Sequence, residues 1–282
     1  MKKGGNAMKN NFQARHVLIT GASRGFGKEL AYAFAEKGAR VDIVGRDSKQ
    51  LQRVSQCIRH LSKQPSHFFS ADLSKTSVQN NLLAAVRHTS GQVDVLVNAA
   101  GLPGFGPIVS FQAADLKKVL AVNTLVPLEL SRQLIQGWQG ENRSGMIINI
   151  ASLAGQLPLP YASIHAASKA AMITFTTSLR YELRRWPIQL LTVSPSLLAT
   201  GHFDQETRRY LKHQSLVDQL SAALLKQSQL DPAKAAKRVI KAAEMGKSEL
   251  DLPYATTGLV QLYNLCSAPV RALIANRYQL KK

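Results

Sequence analysis

Seven consecutive residues, Gly21-Ala22-Ser23-Arg24-Gly25-Phe26-Gly27, have the composition of a phosphate cradle. Glycines let the backbone turn tightly and approach a pyrophosphate, and a helix starting there offers free N–H groups at the positive end of its dipole. Three glycines spaced G-x-x-x-G-x-G carry little weight alone and much more between a strand and a helix. Both flanks are present. His16–Thr20 (HVLIT) is a β-branched run that reads as a buried strand. Lys28 to Lys37 repeats apolar residues at Leu30, Ala31, Phe34 and Ala35 before Gly38 ends the helix. The competing reading is a glycine-rich turn with no ligand.

A dinucleotide's adenosine ribose is read near the end of the second strand, here Arg40 to Val44. An NAD site places an acidic residue there, about twenty residues beyond the glycines, to bind the ribose hydroxyls. This chain has Val44-Gly45-Arg46, with no carboxylate at position 45 and with Arg24 inside the glycine loop. Two guanidinium groups make charge-assisted bonds to a 2′-phosphate, which an NAD ribose lacks. NADP(H) is therefore the expected cofactor. A surface ion pair between Arg46 and Asp47 is the competing use of Arg46.

The elements that must position these groups alternate along the chain. Ser66 to Ser70 reads as a third strand, Val93 to Asn98 as a fourth, Met146 to Ile150 as a fifth and Ile188 to Ser194 as a sixth. A polar helix follows the second strand through His60, and Ser163 to Leu183 suits a long alanine-rich helix closed by Trp186-Pro187. Asp231-Pro232 opens a further helix, with Asp as N-cap and Pro in the first turn, that runs to Met245 and stops at Gly246. Strands separated by helices of this length predict an α/β fold: one doubly wound, Rossmann-like parallel sheet with helices on both faces. Residues 1–14 are expected to be a disordered extension, 15–255 the catalytic domain, and 256–282 an apolar and basic tail.

With 282 residues and 45% hydrophobic content, the chain can bury a sizeable core, which excludes wholesale disorder. Its 36 basic and 17 acidic side chains leave a net charge of +19, but the basic residues are scattered and not interleaved with aromatics. A cationic surface, not a nucleic-acid platform, is the expected consequence. Cys57 and Cys266 are too few for a disulfide scaffold or a cysteine-rich metal site and read as small buried residues; no metal is expected. No apolar run reaches the ~18 residues of a spanning helix. The N-terminus has no apolar core of a secretion signal, so a cytoplasmic protein is expected. The tail separates apolar residues with Arg271, Arg277, Lys281 and Lys282, a pattern compatible with a membrane surface or with a neighbouring subunit.

From residue 15 to about residue 200 these motifs together resemble the short-chain dehydrogenase/reductase family. Thr20 to Gly27 is similar to its cofactor loop, and Asp72-Leu73 falls where the family contacts the adenine. Asn98-Ala99-Ala100-Gly101 is similar to the segment closing the fourth strand, and Asn123 to the asparagine that holds a proton-relay water. Ser152 matches the catalytic serine and Lys169 the catalytic lysine. Pro195 through Thr200 is similar to the segment over the nicotinamide. The resemblance implies a carbonyl or secondary-alcohol oxidoreductase. It also implies a homodimer or homotetramer assembled through the long helix.

Two positions depart from the family. Its tyrosine stands four residues before the lysine and thirteen after the serine, and both counts land on His165. Ser196 follows Pro195 where the family has glycine. In the family the tyrosine donates a proton to the carbonyl oxygen as hydride arrives, the serine bonds the same oxygen, and the lysine lowers the phenol pKa. An imidazolium can transfer a proton, but Lys169 one turn away disfavours a second positive charge. Weak acid catalysis, strongest at acidic pH, is expected of His165. Tyr161, a turn earlier, is either a substitute acid or an aromatic wall of the substrate pocket; Pro158 and Pro160 place the helix start at or after it. Leu153, Leu157, Leu159, Leu197, Leu198 and Phe203 point to a small hydrophobic carbonyl or alcohol substrate. The alternative is an NADP(H)-binding protein without turnover.

Overall fold

The computed structural model describes residues 11–157, 161–196, 230–253, 258, 260 and 261. Seven strands form one parallel sheet: β1 (His16–Thr20), β2 (Arg40–Gly45), β3 (Phe68–Ser70), β4 (Val95–Asn98), β5 (Gly145–Ile150), β6 (Ile188–Pro195) and β7 (Glu249–Leu252). Their order across the sheet is β3-β2-β1-β4-β5-β6-β7. Every neighbouring pair is parallel. Strand order reverses between β1 and β4, which opens a crevice at their carboxyl ends, where doubly wound sheets bind ligands. β1, β4 and β5 are buried along their whole length, and this is why they read as continuous apolar runs.

Helices α1 (Gly25–Glu36) and α2 (Ser48–Ser62) follow β1 and β2, and α3 (Thr76–Ser90) follows β3. Between β4 and β5 lie a 3₁₀ turn (Ile108–Ser110), α4 (Ala113–Leu120), a π turn (Ala121–Leu125) and α5 (Val126–Gly140). A 3₁₀ turn (Leu153–Gly155) precedes α6 (Ser163–Glu182), and α7 (Pro232–Glu244) precedes β7. On one face of the sheet α7 packs against α1 through Ala235, Ala236, Val239, Ile240 and Ala243, while its lysines stay outside. Leu130, Trp138 and Leu179 from α5 and α6 fill the other face. The expected cap is in place: Asp231 Oδ1 accepts from the N–H groups of Ala233 at 2.7 Å and Lys234 at 3.3 Å.

Four readings change. The third strand is shorter than Ser66–Ser70, because the His67 N–H turns to the Asp42 carboxylate at 2.8 Å before the ladder begins. β7 was not anticipated; it has only four residues, two of them acidic, and borders β6 at the sheet edge. Cys57 is exposed on α2 and not buried, while Cys266 lies outside the described residues. Phe12, placed by its sequence position in the extension, is 2% exposed and meets Phe34 edge-on at 4.9 Å. Among the described residues no helix is long and apolar enough to cross a membrane, and no cluster of His, Cys, Asp or Glu is built for a metal. Of the tail, Val260 is described and packs against Leu157 and Leu153.

Candidate active site

A cleft of about 400 Å³ opens at the crevice beside β1. Of the residues expected to bind a cofactor, Gly21, Ser23, Arg24, Arg46, Asp72, Leu73, Ala99 and Gly101 line it. Gly21 has φ +71° and a Cβ there would stand 2.6 Å from the Ala100 Cα, so the loop lies directly on the end of β4. A Cβ on Gly27 would meet the Gly21 carbonyl oxygen at 2.5 Å, which closes the loop against α1. Arg24 is the N-cap of α1 but gives no side-chain cap, and the first turn holds no acid. The free N–H groups of that turn are left for an anion. Gly25 (φ +60°) makes the bend, whereas the Phe26 side chain is buried in the core.

Arg46 makes no ion pair among the described residues, because Asp47 is otherwise engaged: its carboxylate caps α2 by accepting from Gln50 N–H at 3.1 Å. Asp72 is bonded by the Ser74 hydroxyl at 2.8 Å and N–H at 3.0 Å. Those bonds, with smaller help from Lys118 and Arg46, hold its carboxyl below the usual range. Lys118, Gln50 and Val122 also line the cleft and escaped the sequence reading. They come from helices, where no glycine or motif marks a ligand-facing residue. Asn98 is buried and donates to Asn149 Oδ1 at 2.8 Å, bracing β4 on β5 and not reaching into the cleft. Thr20 Oγ1 accepts from both Ala99 and Ala100 N–H at 3.1 Å and so sets the wall opposite the glycine loop.

The proton-handling residues gather where the 3₁₀ turn after β5 rests on α6. A Cβ on Gly155 would lie 2.8 Å from the Lys169 carbonyl carbon, so only glycine lets the Ser152 turn seat there. Ser152 caps that turn, its Oγ accepting from Ala154 N–H at 3.2 Å. Gln156 ties the same turn to β6 and β7 by donating to Ser194 Oγ at 2.8 Å and Asp251 Oδ1 at 2.9 Å, a brace the sequence does not announce. Asn123 sits in the π turn; its Oδ1 accepts from Leu102 N–H at 2.7 Å, and its Nδ2 donates to the Leu102 carbonyl and Ser168 Oγ at 3.0 and 3.1 Å. Lys169 Nζ is buried and donates to the Ile150 carbonyl at 2.8 Å; burial pushes the amine down to about 8.

His165 lies one turn before Lys169, under the loop that follows β4. The Phe105 ring stacks on it with centroids 4.7 Å apart and planes at 29°. Gly104 sits so close that a Cβ would meet Ile164 Cγ2 at 2.8 Å and His165 N at 3.2 Å. The imidazole Nδ1 is buried with no hydrogen-bond partner among the described residues. Burial, then the charge of Lys169, push the imidazole down to about 4, against an opposing pull from the Leu102 carbonyl. The direction is the one expected from Lys169, and burial adds to it, so the neutral ring is favoured near neutral pH. Tyr161 precedes the helix with φ +58°, and its carbonyl accepts from Gly106 N–H at 2.7 Å. Pro195 ends β6; Ser196 N–H donates to the Leu252 carbonyl at 2.7 Å without a positive φ, so serine is accommodated there. Thr200, Leu159, Leu197, Leu198 and Phe203 lie outside the described residues.

This sheet, crevice and residue set are those of a dinucleotide-binding oxidoreductase fold. The chain belongs to the short-chain dehydrogenase family, whose model matches residues 15–210. It is 30% identical over 245 residues to "Dehydrogenase/reductase SDR family member 7B" of Danio rerio, covering 85% of this chain and 77% of that protein. It is 32% identical over 192 residues to the "Ketoacyl reductase HetN" of Nostoc, covering 68% of this chain and 66% of that one. Among solved structures, an actinorhodin polyketide ketoreductase with NADPH superposes with TM-score 0.74 at 25% identity, covering 84% of this chain and 95% of that one. A metagenomic short-chain oxidoreductase in complex with NADP does so with TM-score 0.69 at 26% identity, covering 86% and 98%.

Proposed function

We propose that the protein is an NADP(H)-dependent oxidoreductase interconverting a carbonyl and a secondary alcohol on a hydrophobic substrate. One observation carries the choice of cofactor: Arg24 and Arg46 stand on the cleft with no carboxylate among the described residues pairing them, and position 45 is glycine. The uncapped first turn of α1 would hold the pyrophosphate, the two arginines the 2′-phosphate, Asp72 and Leu73 the adenine, and Lys169 the nicotinamide ribose. When bound, that cofactor supplies or accepts hydride. Ser152 hydrogen-bonds the substrate oxygen, and Leu153 and Leu157 with Val260 give the apolar wall beside it. The resemblance further supports a dimer or tetramer assembled through α6.

A second reading, nucleotide binding without turnover, is favoured by the neutral, stacked state of His165. Fluorescence titration with NADPH and NADH, followed by oxidation of NADPH with a panel of ketones from pH 5 to 9, separates the two. Turnover of an apolar ketone with NADPH supports the enzyme. Tight NADPH binding with no oxidation by any ketone supports the second reading, and binding of neither dinucleotide refutes both.

A further inference from the structure

The turn that carries Ser152 is anchored on either side of the serine. Ahead of it, Ala151 N–H donates to the Val193 carbonyl of β6 at 2.7 Å. Beyond it, Gly155 N–H returns to the Ser152 carbonyl at 3.0 Å, and the Gln156 and Leu157 N–H groups both donate to the Leu153 carbonyl at 2.9 Å. The far anchor is a side chain. Gln156 Nε2 donates to Ser194 Oγ of β6 at 2.8 Å and to Asp251 Oδ1 of β7 at 2.9 Å. Ser194 is buried, and Gln156 and Asp251 are half-buried. Arg180 of α6 reaches the same sheet edge but is held by Glu249 Oε1 at 3.2 Å and the Ser248 carbonyl at 3.0 Å. Asp251 is thus the charged group bonded to the Gln156 carboxamide among the described residues.

A primary amide nitrogen carries two hydrogens and satisfies two acceptors at once, which is what this place between two strands requires. Ser152 is the N-cap of the turn and its Oγ is held by Ala154 N–H at 3.2 Å, so a shift of the turn carries the hydroxyl with it. Gly155 seats against α6 by close approach alone. Val260, beyond β7 in the chain, packs on Leu153 and Leu157 of the same turn. The chain that forms β7 therefore meets the Ser152 turn twice, once through a carboxylate and once through an apolar side chain. Neither Gln156 nor Asp251 lines the cofactor cleft. We propose that Gln156, clamped between Ser194 and Asp251, is the positioning residue for Ser152, so that strand β7 controls the chemical step from outside the cofactor cleft. This rests on the oxidoreductase reading above, in which the Ser152 hydroxyl bonds the substrate oxygen.

The test compares the unmodified protein with Gln156→Glu, Asp251→Asn and the double variant Gln156→Glu/Asp251→Asn from pH 5 to 9. Oxidation of NADPH by a ketone panel, NADPH affinity by fluorescence and amide hydrogen exchange of residues 152–157 are measured. Gln156→Glu sets a second carboxylate against Asp251, and two carboxylates that close share a proton at low pH. Relative to the unmodified protein, its kcat at pH 8 should fall on the order of 10–10²-fold, the scale for a displaced catalytic group. Its KM and affinity for NADPH should hold, and the turn should exchange faster. Toward pH 5 the shared proton rebuilds a donor, and the rate should recover. Asp251→Asn keeps an acceptor oxygen and should change little. The double variant exchanges donor and acceptor, so rate and protection should return at pH 8 and the acid recovery should disappear. An unmodified protein that turns over while Gln156→Glu keeps its kcat at pH 8 overturns the proposal alone. A loss in Gln156→Glu that neither the second substitution nor low pH repairs does the same, whatever its melting temperature. An unmodified protein that binds NADPH but oxidises it with no ketone overturns the oxidoreductase reading and the proposal with it.

Discussion

Replacing His165 by glutamine should change how stability depends on pH. In the folded protein the imidazole is pushed from 6.5 down to about 4 by burial and by Lys169. The folded pKa lies below the unfolded one, so between these values the unfolded chain binds a proton that the native state refuses. Stability therefore rises with pH across this window, is complete above about pH 6.5, and is lost on acidification toward pH 4. Integrating the linkage for one group with these two values gives a loss of about 2 kcal/mol by pH 5 and almost none at pH 7.5. Glutamine does not titrate. Urea unfolding of both proteins at pH 7.5 and pH 5.0 should thus show the difference between them moving by about 2 kcal/mol in favour of the variant. In thermal melts at pH 5 this is a relative shift of about 3 °C for a chain of this size. Carboxylates titrate alike in both proteins and cancel. Parallel pH curves would refute the reasoning, because a ring that keeps its solution pKa in the native state cannot be both buried and beside a charged lysine.

Lys169→Met should stabilise the fold at pH 7 by about 3 kcal/mol, since a buried ammonium titrating near 8 instead of 10.5 burdens the native state most at pH below 8. The advantage should shrink as pH rises from 8 toward 10.5, and melting curves at pH 7 and 9.5 check the sign. Arg46→Asp should weaken NADPH binding by ~1–3 kcal/mol while NADH binding holds or improves; equal losses measured by fluorescence titration would remove the 2′-phosphate assignment. Asp231→Ala should cost ~1 kcal/mol in urea unfolding with unchanged slope, because it frees two N–H groups at the start of α7.

What could be read in the chain itself was whatever has a local cause. Buried strands such as β1 and β5 are short, mainly apolar runs rich in β-branched residues because both faces are covered, and the Asp231-Pro232 start of α7 is written in its own two residues. The glycine loop was legible because close approach to β4 excludes a Cβ at Gly21, and the spacing of Ser152, His165 and Lys169 marked a helix register with one member exchanged. Phe26 and Asn98 show the limit of motif reading: their side chains serve the core, where a motif counts them as ligand contacts. β7 stayed hidden because four half-polar residues become a strand only by pairing with β6. Only the tertiary structure decided the state of His165. An imidazole titrates near neutrality in water; the repulsion from Lys169, one turn on in the same helix, was legible in the spacing, but Phe105 from the loop after β4 covers the ring across a distance the linear order does not encode. The same holds for Arg46, which has no ion-pair partner among the described residues because Asp47 turns its carboxylate to the end of a helix and not to its neighbour.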